Sequence, residues 1–166
     1  FSETVYFDVI RKKTAALFAA CTEAAAYSVG VSEEEVKLAR LLGEYIGICF
    51  QIKDDIFDYF DSKEIGKPTG NDMLEGKLTL PVLYALNRAN DNQATEIALK
   101  VKEGTATLAE IARLIAFTKE NGGIEYAVRT MNAYKQKAFG LLASLPDSAI
   151  CVALRSYLDY VVDREK

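Results

Sequence analysis

Apolar residues recur at the three- and four-residue spacing of amphipathic α-helices along most of the chain, and no stretch shows the alternation typical of a β-strand. Gly, Pro and capping residues interrupt the pattern and delimit the helices, as Thr107 and Glu110 do by forming a capping box. The pattern predicts an all-α protein, a single helical-bundle domain over residues 1–166. The predicted helices cover residues 3–28, 32–60, 80–89, 92–102, 107–120, 123–145 and 147–164.

One predicted helix is much longer than the others. Ser32 and Glu35 form its capping box, and the apolar spacing continues to about Phe60. At ~1.5 Å per residue this helix would exceed ~40 Å, the length of a central helix. Residues 61–75, which follow it, are predicted to form a loop because they contain Gly66, Pro68 and Gly70.

The end of the long helix gathers acidic residues within an apolar stretch. Asp54 and Asp58 project side by side from successive turns, and Asp55 flanks Asp58. Like charges at this spacing repel, so the group is either solvated or neutralised by a cation. Mg²⁺ commonly takes one or two carboxylates and keeps its other positions for water and phosphate. The spacing therefore favours a Mg²⁺ site that meets a phosphate-bearing ligand.

An exposed acidic face of an ordinary amphipathic helix is the alternative interpretation, and for an isolated D-D-x-x-D motif it is the commoner one. Context favours the metal site here. The acidic stripe also carries Gly47 and Gln51, and it holds no Lys or Arg at helical spacing that could pair with the acids. An EF-hand is excluded because the acids do not alternate and no Gly occupies the turn position.

Three segments carry a resemblance to a known family. Residues 10–20 read I-R-K-K-T-A-A-L-F-A-A, residues 47–59 read G-I-C-F-Q-I-K-D-D-I-F-D-Y, and residues 66–81 read G-K-P-T-G-N-D-M-L-E-G-K-L-T-L-P. Together they resemble the Lys-Thr helix and the second aspartate-rich region of the trans-type polyprenyl diphosphate synthases. The resemblance runs from about Tyr6 to the end of the chain. It implies a helical bundle of the isoprenoid synthase type.

The resemblance also implies roles for individual residues. The residues implied to hold Mg²⁺ against the diphosphate of an allylic substrate are Asp54, Asp55 and Asp58. The implied contacts of that diphosphate are Lys13, Lys67 and Lys77. The residues implied to line the reacting carbon and the neighbouring isopentenyl diphosphate site are Thr14, Gln51 and Phe50, with catalytic roles for Lys13, Thr14 and Gln51. From the residues alone, Lys67 fits an ordinary surface turn as well, and Lys77 is equally well explained as a solvated lysine.

Half of the family's pattern is missing. Members carry a first aspartate motif with neighbouring Arg residues and a Lys-Arg-His set for isopentenyl diphosphate, whereas this chain has one D-D-x-x-D motif and no His. The chain begins at Phe1. We expect it to be the C-terminal half of such an enzyme and to be inactive by itself. Helices that lack their partners would expose apolar surface, so we expect a homo-oligomer, such as a dimer.

The amino-acid composition indicates which classes of partner and which cellular compartment to expect. The chain has 166 residues, of which 50% are hydrophobic, and its net charge of -4 argues against a nucleic-acid partner. Its three cysteines, an odd number in apolar helical settings, indicate reduced thiols and a cytoplasmic protein. Charged residues interrupt the apolar runs before they reach the length of an integral membrane segment.

Two functional hypotheses follow. The first is the C-terminal part of a Mg²⁺-dependent prenyltransferase that condenses an allylic diphosphate with isopentenyl diphosphate. The second is a non-catalytic helical subunit that partners a complete synthase. Terpene cyclases are disfavoured because their Asn-Ser-Glu type second motif does not follow Asp55. The G-K-P-T-G-N-D run most resembles medium- and long-chain, octaprenyl-type synthases.

Overall fold

The computed structural model describes residues 1–60, 69–145 and 148–165, and every regular element in these ranges is helical. The all-α prediction is therefore confirmed. The α-helices in chain order are α1 (Glu3–Ile10), α2 (Ala16–Ser28), α3 (Glu33–Phe57), α4 (Asn71–Leu74), α5 (Leu80–Ala89), α6 (Asn92–Glu103), α7 (Leu108–Glu120), α8 (Gly123–Ala143) and α9 (Ala149–Asp163).

A π-helical turn, Arg11–Ala15, joins α1 to α2. The predicted helix over residues 3–28 thus has the expected ends but is not α-helical throughout. The backbone stays in the right-handed helical region at both borders, with φ of -68° at Ile10 and -58° at Ala16. A π-turn accommodates one extra residue per turn and is frequently found at functional sites.

Helix α3 begins as predicted and ends earlier than predicted. Ser32 accepts a hydrogen bond from the Glu35 backbone N–H at 3.3 Å, and its own backbone N–H donates to the Glu35 carboxylate at 2.9 Å. The helix ends at Phe57 and not near Phe60, which makes it 25 residues and about 38 Å long. Asp58 therefore lies directly after the helix and not within it.

The segment predicted as a loop contains a short helix. Residues 61–68 lie outside the described residues, and α4 occupies part of the remainder. Gly70, which precedes α4, has a positive φ of 82° that favours glycine. Pro81 is the second residue of α5, an early helical position that a proline tolerates.

The described residues divide into two compact units, while a single domain over residues 1–166 stays a prediction. Unit 1 comprises Phe1–Tyr6 and Asp54–Arg129, and unit 2 comprises Phe7–Lys53 and Thr130–Glu165. The core of unit 1 consists of buried apolar side chains from α4 to α7 together with the residue after Asp58; its members are Tyr59, Met73, Val82, Leu86, Ala94, Ile97, Ala98, Val101, Ile111 and Leu114.

Unit 2 brings the π-turn and the start of α2 unusually close to α3. A Cβ built on Gly47 would lie 2.6 Å from the Ala15 Cα, and one built on Gly43 would lie 2.5 Å from the Phe18 carbonyl oxygen. These distances are shorter than van der Waals contact, so the two glycines allow the backbones to pack directly against each other. Unit 2 also contains an ion pair in which the largely buried Lys135 Nζ lies 2.6 Å from a carboxylate oxygen of the half-exposed Asp159.

No helix among the described residues combines the length and the apolar character that a membrane span requires.

Candidate functional site

The three aspartates of the predicted metal site differ in burial. Asp55 is only 3% exposed, whereas Asp54 and Asp58 are half-buried. Asp54 and Asp55 lie on the last turn of α3, and Asp58 follows Phe57, the last residue of that helix. All three belong to unit 1.

Asp58 connects the end of α3 to α4. One of its carboxylate oxygens accepts a hydrogen bond from the Asn71 backbone N–H at 3.0 Å, and the other accepts one from Asp72 at 3.0 Å. Its backbone carbonyl accepts a third from the Gly70 N–H at 2.9 Å. The carboxylate thus satisfies the first amides of α4, which otherwise have no helical acceptor.

Asp55 is paired with a tyrosine from the first helix. The Tyr6 hydroxyl donates a hydrogen bond to the Asp55 Oδ2 at 2.5 Å, and both side chains are buried. Burial first, and then the nearby Asp55 charge, raise the pKa of Tyr6 well above its ordinary range, so the hydroxyl keeps its proton. Tyr59 is fully buried beyond Asp58, and burial likewise raises its pKa.

In unit 2, the π-turn holds two further predicted site residues. The Thr14 hydroxyl donates to the Gln51 Oε1 at 2.6 Å, which joins two residues that are 37 positions apart. Lys13 is exposed, and Ala15 is completely buried next to Gly47. The structure therefore brings Thr14 and Gln51 together, as expected for residues of one site.

Phe50 lies in a small aromatic and cationic cluster of unit 2. Its ring centroid lies 5.4 Å from that of Phe18, and the Arg164 guanidinium carbon is 4.2 Å from the Phe50 centroid. Arg164 also donates to the Phe50 carbonyl oxygen at 3.4 Å. A cation at this distance from an aromatic face is attracted by the ring quadrupole.

The two remaining predicted lysines have different outcomes. Lys67 lies outside the described residues. Lys77 is exposed before α5, where its ammonium pairs with Glu75 and lies 3.9 Å from the Asp72 carboxylate. The hydrogen bond to Glu75, and then the two carboxylate charges, raise the pKa of Lys77, which therefore stays cationic.

The carboxylate oxygens of the aspartates suit a hard cation. The structure limits how many of them can share one metal ion. Within residues 1–60, 69–145 and 148–165, no group of three or more His, Cys, Asp or Glu side chains is arranged to share one metal ion. A carboxylate has about four lone-pair positions, so Asp58 can accept its two amides and still offer an oxygen. The arrangement fits Mg²⁺ held by one or two carboxylates rather than by three.

Tyr6 and Arg164 contact predicted site residues, and sequence reasoning did not identify either of them. A carboxylate that is buried in an apolar helix needs a hydrogen-bond donor. This requirement indicates that Asp55 has a donor partner somewhere in the chain. It does not say which residue supplies the donor, because Tyr6 is 49 positions away. Arg164 lies 114 positions from Phe50 and carries no sequence signal that links the two.

Comparison with known proteins decides the family. The family model described as polyprenyl synthetase matches residues 1–118. The chain belongs to the polyprenyl synthetase family. The solved structure of geranylgeranyl pyrophosphate synthase from Bacteroides thetaiotaomicron is 77% identical, with a TM-score of 0.94 over 99% of this chain and 53% of that chain. This neighbour is an isoprenyl diphosphate synthase, so the chain has the all-α isoprenoid synthase fold.

Curated members of the polyprenyl synthetase family are also similar. Heptaprenyl diphosphate synthase component 2 from Geobacillus stearothermophilus is 37% identical over 161 residues, which are 96% of this chain and 49% of that protein. Octaprenyl diphosphate synthase from Haemophilus influenzae is 37% identical over 164 residues, which are 98% of this chain and 50% of that protein. The chain spans about half the length of these relatives.

Proposed function

We propose that residues 1–166 form the C-terminal half of a Mg²⁺-dependent prenyltransferase, which condenses an allylic diphosphate with isopentenyl diphosphate to give linear polyprenyl diphosphates. The observation that carries this proposal is the hydrogen bond between Thr14 and Gln51, 2.6 Å long. Two residues implied by the family motifs on separate helical segments are in direct contact. Gln51 also precedes Asp54 by three positions on α3.

The reaction requires charge to be stabilised at two places. The C–O bond of the allylic diphosphate breaks, and the diphosphate leaves with the electron pair. The double bond of isopentenyl diphosphate then attacks the allylic cation, and loss of a proton restores a double bond. Mg²⁺, when bound, would supply positive charge to the departing diphosphate.

The residues of this chain would contribute by position and charge. Asp54, Asp55 and Asp58 would offer carboxylate oxygens to Mg²⁺ at the end of α3, with no more than two of them on one ion. Lys13 and Lys77 are exposed cations that can meet phosphate oxygens as point charges. Because the Thr14 hydroxyl donates a hydrogen bond to the Gln51 Oε1, the lone pairs of the hydroxyl oxygen are oriented away from that bond and can stabilise positive charge.

The test uses the complete polypeptide that carries this chain. Turnover of an allylic diphosphate and labelled isopentenyl diphosphate is measured with Mg²⁺ for the unaltered protein, for Asp54→Ala and for Asp8→Ala. Asp8 is the matched control, because it is an exposed carboxylate whose contact is Lys12 one turn away. We expect Asp54→Ala to lose most turnover while folding normally, and Asp8→Ala to keep it. Equal turnover in all three proteins would refute the metal role.

The isolated 166-residue chain should bind Mg²⁺ with inorganic pyrophosphate weakly and form no product. Robust elongation by this chain alone would show that the proposed half is sufficient, and would contradict the proposal. The relatives are named for geranylgeranyl, heptaprenyl and octaprenyl products, so the medium- or long-chain product stays a prediction.

We also propose that the protein is a cytoplasmic homodimer. The three cysteines are free thiols, which fits a reducing compartment. Unit 2 exposes large apolar side chains along its first helices and just after α2, namely Val9, Leu17, Tyr27 and Val29. A second copy of the chain would remove such a surface from water. Light scattering at tens of micromolar should report a dimer, and a monomer with little binding of an apolar dye would contradict it.

A further inference from the structure

Two buried polar side chains from distant parts of the chain meet in unit 1. Tyr6 is 7% exposed and Asp55 is 3% exposed, and their hydrogen bond is 2.5 Å long. A buried carboxylate is strongly destabilising unless hydrogen bonds compensate for the lost water. The hydrogen bond from Tyr6 therefore compensates the Asp55 carboxylate for the water that it loses on burial.

The hydrogen bond from Tyr6 can control the orientation of the Asp55 carboxylate. A carboxylate rotates easily about its terminal torsion, so a donor fixed at one oxygen also fixes the direction of the other. Tyr6 suits this task, because its ring is rigid and its hydroxyl donates directly to the Asp55 Oδ2. Partners of this kind behind metal-binding carboxylates commonly set their orientation.

We propose that Tyr6 is a positioning residue of the candidate site, whose hydroxyl sets the direction in which the Asp55 carboxylate meets Mg²⁺ and diphosphate. The inference rests on the proposed function and adds to it a residue outside the aspartate motif. Tyr6 acts only through Asp55 and does not itself contact the substrate.

The chain offers a matched control for this inference. The Tyr126 hydroxyl donates to the Glu3 Oε2 at 2.7 Å, in the same unit and also to a residue on one of its helices. Tyr126→Phe therefore removes the same group from a part-buried tyrosine–carboxylate pair that includes none of the three motif aspartates. A purely structural role for tyrosine–carboxylate pairs predicts similar behaviour for Tyr6→Phe and Tyr126→Phe.

The experiment is a calorimetric titration of the complete polypeptide with MgCl₂ in the presence of inorganic pyrophosphate. It compares the unaltered protein with Tyr6→Phe, Tyr126→Phe, Asp55→Asn and the Tyr6→Phe/Asp55→Asn double variant, each checked for folding by circular dichroism. Tyr6→Phe should weaken Mg²⁺ binding about 10- to 100-fold, the range for such partners. Tyr126→Phe should leave it unchanged. In the double variant, Tyr6→Phe should add no loss to that of Asp55→Asn.

A second test restores a hydrogen-bond donor at position 6 and asks whether Mg²⁺ binding is restored with it. With 4-aminophenylalanine at position 6, the ring and an N–H donor are retained, so Mg²⁺ binding should return even if Tyr6→Phe folds poorly.

Three results would overturn the inference: unaltered binding by Tyr6→Phe, an equal loss in Tyr126→Phe, or a further loss on the Asp55→Asn background. Failure of the unaltered protein to bind Mg²⁺ with pyrophosphate would instead reject the proposed function, and this inference with it.

Discussion

Replacing Gly47 with alanine tests how closely the π-turn and α2 approach α3 in unit 2. The new Cβ would lie 2.6 Å from the Ala15 Cα and 3.0 Å from both the Ala15 Cβ and the Phe18 ring. The shortest of these contacts is to a backbone atom, which no side-chain rotation can relieve. The helices would have to separate, or their backbones would have to bend.

The magnitude follows from two opposing terms. Alanine is favoured over glycine by about 1 kcal/mol inside a helix. Overpacking costs about 1–3 kcal/mol, and a clash with backbone belongs to the upper part of that range. Gly47→Ala should therefore lower the free energy of unfolding by about 1–2 kcal/mol, and the midpoint of thermal unfolding by about 2–8 °C.

Gly140→Ala provides the matched control. Gly140 is also helical, in α8 of unit 2, but a Cβ at this position meets no heavy atom within 4 Å. It should gain about 0.5–1 kcal/mol from helix propensity alone. Urea unfolding followed by circular dichroism measures both variants. A Gly47→Ala variant as stable as Gly140→Ala would refute the close approach of the two helices.

Three further predictions concern charge, capping and thiol reactivity. Hydrogen bonds, the largest from Lys100, lower the pKa of Glu110 to about 2, so its contribution to stability is present at neutral pH and is lost as pH falls through that value. Glu110→Gln should be less stable than the unaltered chain in urea at pH 7, and a difference that persists undiminished below pH ~2 would contradict this. Asp58→Ala should lose about 0.5–2 kcal/mol by uncapping α4, and Asp58→Asn less, in thermal melts; equal losses would argue against capping. Burial raises the pKa of Cys49 to about 12, so an aromatic disulfide reagent at pH ~8 should modify the exposed Cys21 first, and equal rates would contradict the burial.

The helices were largely predictable because their signals are local. The apolar spacing and the caps at Ser32 and Thr107 predicted the starts of α3 and α7 within one residue. The π-turn at Arg11–Ala15 was not predictable, because the sequence there suits an α-helix equally well and the difference of one hydrogen-bond register carries no sequence signal. Directly after the end of α3, Asp58 accepts hydrogen bonds from the backbone N–H groups of Gly70 and Asn71, and local sequence does not reveal such distant contacts.

The candidate site was predictable where motifs carry it and not where tertiary packing completes it. Thr14 and Gln51 were grouped by their motifs, and the structure joins them directly. Nothing along the chain relates Tyr6 to Asp55, since a hydrogen bond between residues this far apart becomes visible only when the helices are assembled. The sequence predicts which groups bear the chemistry, but not which groups hold them.

The two glycines of α3 also define an alignment. Gly43 faces Ala19 and Gly47 faces Ala15, so positions four apart on one helix meet positions four apart, in reverse order, on the other. Sliding the π-turn and α2 along α3 by one turn would place Arg11 opposite Gly47 in one direction and Glu23 opposite Gly43 in the other. Neither long side chain can enter the gap that a glycine leaves, so both one-turn shifts of register are excluded. The contact between Thr14 and Gln51 is thus dictated by two positions that have no side chain at all.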